Sequence, residues 1–235
     1  MEKLKESLSL LKNLTKEADI VKQLQKINQL ILCDYMIELP NKLLVYPLEV
    51  ESYYYNETYF PDESVHKNEL QKTEKRFGKF YFHRRGVLEK DNIIRGKRGG
   101  VDICLSIDDN YLSLLVRSAI FAKDKIQGPS NLKEQIIDTC NNADIENIQV
   151  LKRAINDPRT DKTIITNSNR ININRGNYTN QPLRTIVGKL TLLPYKKKTE
   201  AFETYIREHH LTNSKEAKTK SVEILGYVDS KYKNL

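Results

Sequence analysis

Cysteine and histidine are both scarce in this chain of 235 residues, at three and four copies. Cys33, Cys104 and Cys140 are odd in number, far apart and each set among aliphatic neighbours, which argues against a disulfide framework and a CxxC metal motif. They read as buried thiols in a reducing compartment. His66, His83, His209 and His210 include no pair at a zinc-like spacing supported by cysteine, and His209 and His210 fall on different faces of a helix. No metal and no cofactor is expected. Long apolar runs are missing as well: nowhere do about 18 apolar residues follow one another. The N-terminus carries Glu2, Lys3, Lys5 and Glu6 with no uninterrupted apolar core behind them. The expectation is a cytoplasmic protein, nucleoid-associated if prokaryotic, without a membrane anchor. No internal repeat is visible.

What the chain has in excess is positive charge. Its 39 Lys and Arg against 31 Asp and Glu leave a formal net charge of +8. The basic residues cluster at Lys72 to Lys79, Arg84 to Arg98 and Lys196 to Lys198. An anionic partner follows, nucleic acid first among them, although a basic balance is shared by many proteins that bind none. Charged residues at 30%, with aliphatics recurring throughout, mark a folding chain of a size to bury one substantial core. We expect a single domain over 1–235, comprising an N-terminal helical segment 1–32, a basic inserted loop 84–99 and a helical C-terminal tail 196–235, and behaving as a monomer.

The apolar positions Leu4, Leu8, Leu11, Leu14, Val21, Leu24, Ile27 and Ile31 recur mostly at helical spacing, as one long helix or as two with a break near Asn13 and a cap at Thr15. After the turn Leu39-Pro40-Asn41, Lys42 to Tyr55 is rich in Leu, Val and Tyr and reads as strand, as do Phe77 to His83, Gly100 to Ile107 and Leu112 to Phe121. A helix is predicted from Asn131 to Cys140 with Ser130 as its cap and Leu132, Ile136 and Ile137 inward, and another over Asp144 to Ala154. Asn167 to Asn180 reads as irregular or as short strands, and Leu183 to Leu193 returns to strand. Thr199 to Tyr227 is helical, packing through Phe202, Tyr205, Ile206, Val222 and Leu225. The order is that of an α+β fold around an antiparallel or curved sheet.

Glu49 and Glu51 lie two apart near the end of a strand and so share one of its faces, followed by Tyr53, Tyr54, Tyr55, Tyr59, Asp62 and His66. In isolation such a segment is more often a plain surface than a site. The order of motifs along most of the chain, from about Gln25 to Lys189, nevertheless resembles the alkyladenine, or 3-methyladenine, DNA glycosylases of the single-domain mammalian type. Glu49-Val50-Glu51-Ser52-Tyr53 is similar to that family's E-T-E-A-Y, and Pro61-Asp62-Glu63-Ser64-Val65-His66 to its P-E-D-x-A-x-H. Gly78 to His83 and Gly100 to Ser106 resemble its Y-V-Y and G-M-x-x-C-x-N strands. Leu114 to Ala119 looks like its V-L-L-R-A-L. Gly128-Pro129-Ser130-Asn131-Leu132 is similar to its G-P-S-K-L, and Gln181-Pro182-Leu183-Arg184 to its late P-L-R-F strand. Each piece is short, but they stand in the same order.

The resemblance implies a single α+β domain with a curved antiparallel sheet flanked by helices. It also implies a metal-free enzyme that flips a modified or damaged base out of double-stranded DNA, or takes it from a displaced single strand, and hydrolyses its glycosidic bond to leave an abasic site. Loss of the base leaves an oxocarbenium-like sugar, so a carboxylate must orient and deprotonate water beside it. The resemblance gives that role to Glu51, with Arg117 holding the water and the carboxylate; a structural ion pair is the plain alternative for Arg117. Tyr53, His66, His83 and Ser106 would wall the base pocket. Ser130 and Asn131, at a helix start, would offer backbone N–H groups to a phosphate, and a simple cap is compatible with this. Arg84, Arg85, Arg95, Lys97 and Arg98 would grip DNA, and Ile93 or Ile94 between them would wedge open the stack. The departures point to a changed substrate. His83 stands where the family has a pocket tyrosine, Ser106 where it has an asparagine that excludes normal purines, and the basic stretch 84–99 is inserted where its wedge tyrosine belongs. A bulky modified base of foreign DNA is the expectation. The alternative from another class is a DNA-binding module that kept the fold and lost catalysis.

Overall fold

The computed structural model describes residues 1–67, 76–82, 99–106, 110–140, 149–211 and 214–233. The chain opens with two helices, α1 (Glu2–Lys12) and α2 (Glu17–Asp34), broken at Asn13 as the spacing allowed. Lys16 rather than Thr15 is the N-cap of α2, and it makes no side-chain cap bond. Two strands follow, β1 (Tyr35–Glu38) and the long β2 (Leu44–Tyr55). Next come β3 (Phe80–Phe82), β4 (Val101–Cys104), β5 (Tyr111–Phe121), β6 (Asp124–Gln127) and α3 (Pro129–Cys140). The last part holds β7 (Leu151–Arg153), β8 (Ile165–Ser168), β9 (Arg184–Val187), α4 (Lys198–Glu208) and α5 (Ser214–Leu225).

The architecture is α+β, with a curved antiparallel sheet ordered β3-β4-β5-β2-β1-β7. β6 lies against β5, and β9, carrying β8, lies against β2 beyond the short stretch that β1 occupies. β2 is thus the central strand and is buried nearly end to end. Its alternation separates two faces. Val50 and Tyr54 join the main core with Leu24, Ile27 and Ile31 of α2 and Leu8 and Leu11 of α1. On the same side the Ser52 hydroxyl donates to Asn28 Oδ1 (2.6 Å), and Asn28 Nδ2 donates to the Leu183 carbonyl and to Thr185 Oγ1, which fastens α2 to the sheet. Glu51 and Tyr53 point the other way.

Several expectations need correction. Leu151–Arg153, expected as helix, is a strand paired with β1 over Tyr35 to Ile37; three and four residues are too short to show a period, so neither strand is legible from spacing. The rest of that expected helix, 144–148, lies outside the described residues. α3 starts at Pro129, not after Ser130, because proline's fixed φ suits the first helical turn and its missing N–H costs nothing there. Only Arg184–Val187 of the expected Leu183–Leu193 strand is paired, and the chain turns at Gly188 with φ +86°. The tail forms two helices. It packs a second core of Phe202, Tyr205, Ile224 and Leu225 onto Ile164, Ile186 and Leu190, but Val222 is 50% exposed and no part of it. Among the described residues no helix is long and apolar enough to cross a membrane.

Candidate active site

The site begins with an irregularity in the β2–β5 ladder. Pairing runs Pro47 to Ala119, then Glu49 to Ser118, then Val50 to Val116, so Leu48 is the extra residue on β2 and Arg117 the extra one on β5. The two bulges cancel, and register is restored from Val50 onward. Pro47 has no N–H to give the ladder, which is why the break is tolerated there. A bulge re-aims its side chain. Arg117 is turned in between the two carboxylates, its Nε donating to Glu49 Oε1 at 3.1 Å and its Nη1 to Glu51 Oε2 at 3.3 Å. Its own carbonyl leaves the ladder and accepts from the Gly128 N–H. Glu49 and Glu51, expected on one face, therefore meet on one guanidinium.

Both carboxylates are held from further sides, as buried charges must be. Glu49 also accepts from Arg184 Nε at 2.7 Å and from the Ser118 hydroxyl at 3.1 Å. Glu51 is 0% exposed. Its Oε1 accepts the Ile171 N–H at 2.7 Å and its Oε2 the Tyr53 hydroxyl at 3.2 Å. Burial raises the Glu51 carboxyl above its ordinary value, against the pull of Arg117 and of the Ile171 N–H. Burial, and then the charge of Glu51, push the Tyr53 phenol well up, so that it stays protonated and donates.

Above this cluster opens a cavity of about 670 Å³, lined by Tyr53, by Glu63, Ser64 and His66 of the segment after β2, by Gly100 and Leu115, and by the loop Asn172 to Arg175. Gly100 is there for closeness: a Cβ on it would stand 2.5 Å from Leu115 Cδ1 and 3.2 Å from Pro129 Cβ. Glu51 itself does not line the cavity; Tyr53 does, and its hydroxyl donates to Glu51.

Glu51, Arg117, Tyr53 and His66 are thus gathered at one end of the fold, the first three in bonded contact and His66 on the cavity wall. Ser106 is elsewhere in function: its buried hydroxyl bridges the backbone N–H and carbonyl of Leu112 on β5, and it does not line the cavity. The Ser130 hydroxyl donates to the Gly99 carbonyl (2.9 Å), tying the start of α3 to the cavity rim. Asn131 donates its side-chain amide to Gln127 O. His83, Arg84, Arg85, Ile93, Ile94, Arg95, Lys97 and Arg98 lie outside the described residues.

Four participants had no role in the sequence reading: Glu49 as a partner of Arg117, Arg184, Asp62 and Arg170. Arg184 carried a signal, since an arginine among Leu183, Thr185, Ile186 and Val187 in a strand needs a buried acid opposite it. Arg170, among the asparagines of an irregular stretch, carried none. No protein-family model and no curated protein matches this chain.

Proposed function

We propose that the chain is a monofunctional DNA glycosylase, acting on a modified base flipped into the cavity. The observation that carries this is the contact of Glu51 with Arg117, the Tyr53 hydroxyl and the Ile171 N–H directly beneath a cavity walled by Tyr53 and His66. The base enters the cavity and stacks on aromatic wall, which offsets the few kcal/mol or so lost in unstacking and unpairing it. The C1′–N bond breaks with its electron pair leaving on the base, water forms the new C1′–O bond, and Glu51 takes the proton from that water. A buried carboxylate with a raised proton affinity suits a base that works near neutrality. Arg117 keeps it ionised and aimed. The Tyr53 hydroxyl must yield its place for the water to reach Glu51, a rearrangement that geometry without substrate does not preclude. A substrate other than the alkylated purines is our reading, supported by the sequence departure at His83 from the family it resembles, and a modified base of foreign DNA is the class we infer.

One observation favours the second reading, a DNA-binding module without catalysis: Glu51 has no exposure and its recorded bonds are all internal, as for a structural carboxylate. The two separate in one experiment. Abasic-site formation is measured for the parent chain and for Glu51→Gln on DNA carrying alkylated, deaminated, hydroxymethylated or glucosylated bases, and on plain DNA. Release of one class of base that vanishes in the variant is the expected result. Binding across the panel without any release would sink the enzyme reading.

A further inference from the structure

We propose that Arg170 and Asp62 are a positioning pair that joins three of the segments lining the cavity and so sets Tyr53 and Glu51 for the nucleotide. This rests on the glycosylase reading of the site. Arg170 is among the largest fully buried side chains, and its Nη1 meets Asp62 Oδ2 at 2.7 Å. The same guanidinium reaches three of the segments that build the cavity, though not the wall of Gly100 and Leu115. Nη1 also donates to the carbonyl of Ser52, the residue between Glu51 and Tyr53 on β2, and the guanidinium carbon stands 4.9 Å from the centre of the Tyr53 ring. Nη2 donates to the carbonyl of Tyr178, which ends the loop carrying Asn172 to Arg175. Asp62 spends its other oxygen on the Ser64 N–H and hydroxyl, at 3.0 and 2.6 Å, which shapes the turn that brings Glu63, Ser64 and His66 to the rim. The residue after Arg170 is Ile171, whose N–H holds Glu51.

Two of these three segments are irregular chain without a sheet ladder, so their backbone groups need side-chain partners. A planar guanidinium can serve a carboxylate, two carbonyls and an aromatic face together. A lysine can hold Asp62 as a point charge but cannot serve the rest. A pair needed for stability alone is readily replaced by apolar packing; a pair that reaches three segments of a cavity wall fixes their spacing. Arg170 has no recorded contact with Glu51 itself. The groups facing Glu51 are Tyr53 and Glu49 from β2, Arg117 from β5, Arg184 from β9 and the Ile171 N–H. Arg170→Lys keeps the charge, so it reaches Glu51 by moving Tyr53 or Ile171.

The test uses the full chain as Arg170→Lys and Asp62→Asn. Folding is followed by thermal unfolding, and the Glu51 midpoint by carbon NMR of chain labelled at the glutamate carboxyls, the Glu51 signal being assigned by its loss in Glu51→Gln. Base release is measured on whichever DNA of the panel the parent cleaves. Folded variants with a displaced Glu51 midpoint and a KM raised about tenfold to a hundredfold, the scale of a small misplacement, are expected. Folded variants with the parent's midpoint and KM would overturn the pairing's role. If the parent releases no base, the glycosylase reading fails, and the midpoint alone decides: moved supports the positioning pair, unmoved refutes it. If Arg170→Lys does not fold, Asp62→Asn, which keeps the shape of the acid, carries the same measurements, and failure of both to fold refutes a role beyond structure.

Discussion

At Glu51, burial competes with pairing, and the balance has a testable sign. Its carboxyl is raised above the ordinary value of 4.5, so between that value and the folded one the native chain binds more protons than the unfolded chain. The group's contribution to stability is therefore most favourable below 4.5 and is lost as pH rises through the folded value. Glu51→Gln is expected to flatten the pH dependence of unfolding in that window and, since Arg117 keeps Glu49, to melt no lower than the parent at neutral pH. Calorimetry from the acid range through neutrality checks this. A loss of about 3–5 kcal/mol would instead mark a structural ion pair broken from one side. In the same group, base release should fall as pH drops through a midpoint above 4.5, because only the ionised carboxylate takes the proton from water. A kcat profile with its acid limb at or below that value would remove Glu51 from the role.

Two elements are fastened to the sheet by chemistry that propensity does not describe. α2 is pinned through Asn28, which is fully buried and bonded to Leu183, Thr185 and Ser52. Asn28→Ala leaves those partners buried and unmet, and urea unfolding should show a loss of about 2–4 kcal/mol. α4 is fastened by apolar contact and by two acids: Glu200 accepts the Asn169 N–H, and Glu208 takes both oxygens to the Asn167 amide. The tail therefore has a structural role. Phe202→Ala should cost about 3–5 kcal/mol by the same measurement. A loss below about 1 kcal/mol would show that the second core is not part of the cooperative fold.

For the molecule as a whole, the net charge of +8 bears on the proposed binding of DNA. Affinity for duplex DNA should fall steeply with salt. Replacing Arg84, Arg85, Arg95, Lys97 and Arg98 together by Gln should lower the slope of log K against log salt by about one for each phosphate contact removed. Fluorescence anisotropy of a labelled duplex measures it. An unchanged slope would put the phosphate contacts on another surface.

Periodicity and turn chemistry by themselves determined an N-terminal helical segment, with one helix or two left open at Asn13, the strands around Glu51 and Arg117, the helix behind Gly128 and the helical tail, because each of these has a period or a cap long enough to read. They also put Glu49 and Glu51 on one face, since a strand alternates by two. Tertiary structure alone decided the rest. β1 is a strand because it lies between β2 and β7, and β7 because it lies beside β1, not because three or four residues prefer it. The compensating bulges that turn Arg117 between the acids depend on the pairing of β2 with β5 across more than sixty residues of chain. Arg170 is legible only once the segments it joins are in place. A buried arginine and an exposed one are the same letter, and what separates them is whether the fold brings an acid and orphaned carbonyls within its reach.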